Sequence, residues 1–408
     1  MKLIKVVIGR IAKLKKNIRV AKRTLPYLIN KDAPEELKKL WYQSLANSSM
    51  KYRLLYTYSI YIYLNGRKLR NHIRRKEIDS KSRLFSMTVE DHLHPFYYSF
   101  FGLNKSVNWE RRHDYLYHKP LAHCLHSIVD RSKAEVLNNK FEFDQYCLDH
   151  KLPTPQIYGI IDEAGHLALR GSAPWSKGLN FVLKPYYGST GKNVLIFRFN
   201  NNNEYILLSE GNIVINVNEI EATLTSKARI TGCRYLLQEK LVNHASLRNF
   251  GNDELITLRI LSVVNRSGDI NLYRPILLIP QKDTIFSYIH KGAIAIGINL
   301  HSGGLTDIMM NGSSLNADLS AALETGFILP YWDDIISMVV RAHRELSEIP
   351  LVGWDIAITD NMPVILEGNV SPSLDIHQLP PYGPFVRTDF YYDFIHNLKA
   401  SLKKDGGQ

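Results

Sequence analysis

Val352-Gly353-Trp354-Asp355-Ile356-Ala357-Ile358-Thr359 is followed by Asp360-Asn361-Met362-Pro363 and then by Val364-Ile365-Leu366-Glu367-Gly368-Asn369. Two apolar runs around a short polar segment predict a β-hairpin. With the turn centred on Asn361, residues whose numbers sum to 722 face each other. That register sets Asp355 opposite Glu367 and puts Asn369 two residues on, along the same face. Directly opposed side chains have Cβ atoms about 4.5–5.5 Å apart, and like charges so placed repel. Two readings are open: a surface hairpin with scattered acids, or two carboxylates and an amide oxygen converging on a dication. Hard oxygen ligands, few of them from protein, suit Mg2+ held jointly with a phosphate.

The chain has 408 residues, 45% of them hydrophobic and 22% charged, which is the composition of a folded globular protein with room for two or three domains. Its three cysteines, Cys124, Cys147 and Cys233, form no CxxC pair, so neither a disulfide framework nor a zinc site is expected. No apolar run reaches the length of a membrane span, and the N-terminus makes a poor secretory signal. Localisation is therefore expected to be cytoplasmic. The net charge of +12 is uneven: residues 1–76 hold 20 Lys and Arg against 3 acids, a balance of +17 that leaves −5 for the other 332.

Residues 1–25 place Ile4, Val7, Ile8, Ile11, Leu14, Ile18 and Leu25 at helical spacing, with nine basic residues and no acid between positions 2 and 23. Such a basic amphipathic helix can lie on an anionic membrane surface, here the inner face, or pack on the protein with a solvated basic side. No recognised nucleic-acid module follows, so no nucleic-acid partner is expected. Helices are expected within 33–80. The histidines of 84–130 (His92, His94, His113, His118, His123, His126) match no metal motif and read as interdomain surface. From about 155 the chain is strand-rich, with strands expected at 156–161, 181–184, 194–199, 205–208, 213–217, 235–239, 255–265 and 270–278 and helices near 218–230 and 331–347. Many strands and few helices predict an α+β fold and not a doubly wound one.

Several segments carry chemistry. Phe181-Val182-Leu183-Lys184 is a strand ending in Lys, and Pro185-Tyr186-Tyr187-Gly188-Ser189-Thr190-Gly191-Lys192 after it is a glycine loop. Backbone N–H groups in such a loop can close over phosphate oxygens, although turns use the same residues. Tyr235-Leu236-Leu237-Gln238-Glu239-Lys240-Leu241 is a strand running into a linker. Its edge can offer backbone groups to a purine, and it also reads as an ordinary strand end. Arg259, in the apolar run Thr257-Leu258-Arg259-Ile260, needs an anion: a phosphate, a substrate carboxylate or a structural ion-pair partner.

Taken in order, these pieces resemble the ATP-grasp superfamily, and within it most closely the sugar-transfer-associated, glutamate-ligase-related ATP-grasp family. The resemblance rests on Asn139-Lys140, Leu152-Pro153-Thr154-Pro155, Val182-Leu183-Lys184-Pro185, Leu237-Gln238-Glu239, Thr257-Leu258-Arg259, Ser302-Gly303-Gly304, Gly353-Trp354-Asp355 and Glu367-Gly368-Asn369, and covers about residues 95–380. It implies two α+β subdomains clasping ATP: a lid at 151–240 and a C-terminal subdomain with the metal site at 241–400, after a basic helical region at 1–90 and a linking region at 91–150. It also implies ATP and Mg2+ as cofactors. Lys140 and Lys184 would contact phosphates, Gly188, Ser189, Thr190 and Gly191 would cover them, and Gln238, Glu239 and Leu241 would hold the adenine. Arg259 would stabilise the transferred phosphoryl group, and Asp355, Glu367 and Asn369 would bind Mg2+. The family's acidic ribose ligand is missing after the Gln-Glu pair, where Val242-Asn243-His244-Ala245 stands, so His244 or Asn243 must serve or the contact differs. Asn299, His301, Gly303 and Gly304 are candidates for an acceptor pocket. The activity implied is an ATP-dependent ligase joining a small carboxylate to an amine, for example an amino acid and a sugar derivative, in cell-surface glycan synthesis. A kinase, or a non-catalytic nucleotide-binding module of a membrane glycan-assembly complex, are the alternatives.

Overall fold

The computed structural model describes residues 97, 100–103, 106–117 and 129–405, apart from 189–190, 201, 252–253, 282–291 and 311–314. The expected helices of 1–25 and 33–80, residues His92, His94, His118, His123, His126 and Cys124, and loop residues Ser189 and Thr190 lie outside the described residues. The chain forms two compact units. One gathers the described residues up to Asp130 with 264–268 and 371–408; the other comprises 131–263 and 269–370 and holds both sheets. Among the described residues, no helix is long and apolar enough to cross a membrane.

The first unit is organised by Gln378. Its Oε1 accepts from the backbone N–H groups of Leu116 (2.8 Å) and Phe385 (3.2 Å), and its Nε2 donates to Leu116 O at 2.8 Å. These bonds satisfy a buried amide completely enough to make it a structural bridge. Phe385, Phe390 and Phe394 stack beside it, the last two on a helix at Asp389–Asp405.

The second unit contains a seven-stranded sheet in the order β2-β1-β7-β3-β4-β5-β6. Its strands are β1 (Ile157–Ile161), β2 (Leu167–Leu169), β3 (Phe181–Pro185), β4 (Leu195–Phe199), β5 (Glu204–Leu207), β6 (Ile213–Asn216) and β7 (Tyr235–Glu239), all pairing antiparallel. Alternation sends Phe181, Leu183, Phe197, Tyr205, Tyr235 and Leu237 to one face, where they pack on Ile220, Leu224 and Ala228 of a helix at Ile220–Thr231. That core leaves Val182 and Lys184 on the opposite face.

The six-stranded sheet runs β11-β10-β9-β8-β12-β13, built from β8 (Thr257–Val264), β9 (Ile270–Ile279), β10 (Ile294–Ile298), β11 (Leu305–Met310), β12 (Leu351–Ile358) and β13 (Pro363–Asn369). β12 is buried along its whole length between β8 and β13, both antiparallel to it. A helix at Trp332–Arg344 buries Ile335, Met338, Val339, Ala342 and His343, a stripe at helical spacing. The architecture is α+β, as the strand-rich text predicts.

His343 is fully buried on that helix, donates from Nε2 to Ile349 O at 2.8 Å, and lies 6.4 Å from the Trp354 ring. Burial holds its pKa down at about 4. The folded protein thus keeps His343 neutral while the unfolded chain takes up a proton below its ordinary value of about 6.5, so stability is lost as pH falls from 6.5 to 4. The loss from this group is on the order of 3 kcal/mol. His343→Gln, which keeps a donor for Ile349 O, is expected to flatten that limb of the stability curve; urea melts of both proteins at pH 6.5 and 4.5 measure it.

Candidate active site

The β12–β13 hairpin brings Asp355 opposite Glu367 and Gly353 opposite Asn369, as the sequence predicts, but by a different route. Nearer the turn, Ile358 pairs with Pro363 and Ile356 with Ile365, so the turn is centred between Asp360 and Asn361 and not on Asn361. A β-bulge between Asp355 and Ile356 then shifts the register by one residue and restores the opposition of the acids. Leu366 is the extra residue, and a bulge sets two residues against one. Leu366 and Glu367 accordingly both line the same cavity.

Asp355 is also in register with Arg259 on β8, whose Nη2 donates to Asp355 Oδ2 at 2.9 Å. Burial pushes the Asp355 carboxyl up to about 6; the Arg259 guanidinium opposes this and the Glu367 charge adds to it. Lys184 approaches from the other sheet. Burial lowers its ammonium pKa, and Glu367 and Asp355 pull it back up.

Lys140 opens a helix at Lys140–Asp149 whose N-cap, Asn139, accepts the Phe141 N–H at 3.0 Å. The capped end grips the start of the glycine loop. Lys140 N–H donates to Tyr186 O at 2.9 Å, Lys140 Nζ donates to Gly188 O at 2.8 Å, and Tyr187 OH bridges Asn139 Nδ2 (3.0 Å) and Glu135 Oε1 (2.5 Å). Gly188 and Gly191 hold φ of +125° and +66°, backbone that favours glycine.

One cleft of about 180 Å³, partly open to solvent, collects nine of the expected residues, with Asn369 not among them. Lys140, Lys184, Gly188, Gly191, Glu239, Leu241, Arg259, Asp355 and Glu367 all line it. Glu239 N–H donates to Gln156 O and Lys240 N–H to Asn180 O, which leaves the linker beyond them to face the cleft. Gln238 is buried, its side-chain oxygen without a hydrogen-bond partner, and does not line the cleft.

Other expected residues stand elsewhere. His244 caps a short 3-10 segment, Ala245–Phe250, with Nδ1 accepting from Ser246 N–H at 3.2 Å. Asn243 is buried, bonded to Glu254 O and Ile256 N–H. Asn299 Oδ1 accepts from the N–H groups of His301 and Ser302, and Gly303 holds φ +73° with its face against the Trp332 ring. Asn299, His301, Gly303 and Gly304 thus make a tight turn between β10 and β11, and none of them lines the cleft. The cleft instead contains residues that sequence reasoning missed. Lys192 ends the glycine loop, in a turn before β4, and Ile196 is the cross-strand partner of Val182, so strand alternation could have found Ile196. Glu254, 3.7 Å from Lys240, carried no local signal, since the pair meets only through the fold.

One end of the cleft is therefore cationic around two opposed carboxylates, and its walls include Pro155, Val182, Val194, Ile196, Leu241 and Leu255. An apolar slot beside fixed cations can take a planar base and a polyanion. The chain belongs to the sugar-transfer associated ATP-grasp family. The family model matches residues 123–386. No curated protein matches the chain. Among solved structures, this ATP-grasp chain is similar to an N5-carboxyaminoimidazole ribonucleotide synthetase in complex with ADP (13% identity, TM-score 0.37, covering 62% of this chain and 51% of that one). It is also similar to the D-alanine-D-alanine ligase of Helicobacter pylori (13%, TM-score 0.36, 69% and 65%) and an L-amino acid ligase of Bacillus licheniformis (13%, TM-score 0.33, 66% and 49%). The chain spans about half the length of the first of these.

Removing Arg259 from this ATP-grasp chain leaves a buried carboxylate without its guanidinium. Arg259→Met is expected to cost about 3 kcal/mol at pH 7.5. At pH 5 the loss should shrink, because the carboxyl, already raised to about 6, rises further without Arg259 and holds a proton. Urea melts at the two pH values measure this, and an equal loss at both would refute the charge argument.

Proposed function

We propose that the protein is an ATP-dependent carboxylate–amine ligase. The observation that carries this reading is the convergence of Lys140, Lys184, Lys192 and Arg259 with Asp355 and Glu367 in one cleft. An attacking carboxylate and a nucleotide γ-phosphate repel each other, so their reaction needs cations fixed where charge accumulates. Bound ATP would supply the phosphoryl group. The carboxylate oxygen attacks the γ-phosphorus and ADP leaves; the amine nitrogen then attacks the acyl carbon, losing a proton, and inorganic phosphate leaves. Lys184 and Arg259 hold the phosphoryl oxygens, Lys140 and Lys192 the flanking phosphates, and the 188–191 loop excludes water from the acylphosphate. In this reading 151–240 is the lid and 241–263 with 269–370 of the same unit form the subdomain with the metal site.

The donor set fits Mg2+. Asp355 and Glu367 offer hard oxygens, Asn369 lies two residues further on, and the carboxylates repel each other without a cation. Among the described residues no group of three or more His, Cys, Asp or Glu could hold a metal; Mg2+ shared with phosphates takes one or two protein carboxylates. Glu254 takes the ribose hydroxyls, the role expected of Asn243 or His244, because its carboxylate lines the cleft beside Lys240. The family's association with sugar transfer supports a glycan conjugate as product, and the basic charge of residues 1–25 supports an anionic membrane surface as partner.

ADP and phosphate release should require an acid and an amine together, which a coupled assay over amino acids and sugar acids reads directly. Release with an alcohol alone, leaving a phosphorylated product, would make the protein a kinase. Asp355→Asn with Glu367→Gln should abolish turnover; surviving activity would remove the metal assignment. Wild-type protein is expected to prefer ATP over 2′-deoxy-ATP by about tenfold in kcat/KM, and Glu254→Ala to bring that ratio close to one.

A further inference from the structure

The linker after β7 is fastened to the turn of the β12–β13 hairpin. Asp360, in that turn, accepts the Ala245 N–H through Oδ1 at 2.7 Å and pairs through Oδ2 with Arg248 Nη2. The same guanidinium donates from Nε to Asn243 O at 2.9 Å. His244 N–H donates to Ile358 O at 2.7 Å, and Tyr331 OH to Asp360 O at 2.7 Å, with the Tyr331 ring edge-on to His244 at 5.8 Å. Tyr331 holds φ +58°, a left-handed backbone that a non-glycine residue keeps only where its surroundings over-determine it. Asn243 passes the restraint inward through its bonds to Glu254 O (2.9 Å) and Ile256 N–H (2.8 Å), next to the strand that carries Arg259.

Asp360, Arg248 and Tyr331 do not themselves line the cleft. They join two of its walls: the Glu239–Leu241 end and the strands bearing Asp355 and Glu367. The Arg248 and Asp360 side chains are about half exposed (47% and 49%), and an exposed pair contributes only about 0–1 kcal/mol to stability. Stability alone is a weak reason for so many bonds to converge on one turn residue. We propose that Asp360 and Arg248 are positioning residues that set the separation between the base-binding end and the carboxylate end of the cleft. The inference rests on the nucleotide reading above.

Calorimetric titration of the full chain with ADP and Mg2+, together with steady-state kinetics, tests it. Asp360→Ala is expected to weaken ADP binding about tenfold and to raise KM for ATP alike, with kcat held within about twofold, since base contacts are equal in ground and transition states. Asp360→Asn keeps an acceptor for Ala245 N–H and should recover most of the loss. Asp360→Ala combined with Arg248→Ala should be no worse than either alone. If Asp360→Ala fails to fold, Arg248→Gln serves in the same titration. A lower Tm with unchanged ADP affinity, or a fall in kcat at unchanged KM, overturns the positioning role and leaves the nucleotide reading standing. Wild-type protein that takes up no ADP overturns both.

Discussion

Two carboxylates face each other on a hairpin whose first strand is buried throughout, and the surrounding structure answers that repulsion. A buried like-charge pair persists only with cations beside it. Arg259 comes from the strand next door in register, and Lys184 comes from the other sheet. Neither cation is near the acids in the chain, so the charge balance is met only when both sheets line the same cleft. Asp355 is poised by this arrangement: its carboxyl sits near 6 under burial, Arg259 and Glu367 acting in opposite senses.

The rest of the cleft follows from how each sheet places its spare face. In the seven-stranded sheet the aromatic core around Phe181, Phe197 and Tyr235 occupies one side, which commits Val182 and Lys184 to the other. The glycine loop is then held at its first residues by a capped helix end, through Lys140 and Tyr187. Asp360 ties the linker to the hairpin, so the Glu239–Leu241 end of the cleft and the carboxylates are parts of one connected frame.

Much of this could be read from residue patterns. Strand-rich text after 155 gave an α+β fold, and apolar runs around a polar turn gave the hairpin and its facing acids. Agreement on the acids was partly fortunate: the turn lies half a residue from its expected centre, and a bulge at Leu366 makes up the difference. A bulge has no reliable local signature, because its cost is balanced by packing on both sides of the strand. The acceptor candidates Asn299, His301, Gly303 and Gly304 show the opposite case, since the glycines and the asparagine there serve a tight turn against Trp332.

By itself the sequence determined the family, the α+β class and most of the strands along the chain, missing β2, β10 and β11, because those depend on periodicity and on local chemistry. Only the tertiary structure decided which residues share a cleft. It withdrew Asn243 and His244 into structural bonds, brought Glu254 to Lys240, and turned Asp360 from a turn residue into an anchor. Each of these contacts joins positions that are separate in the chain, and their geometry depends on packing that no local pattern encodes.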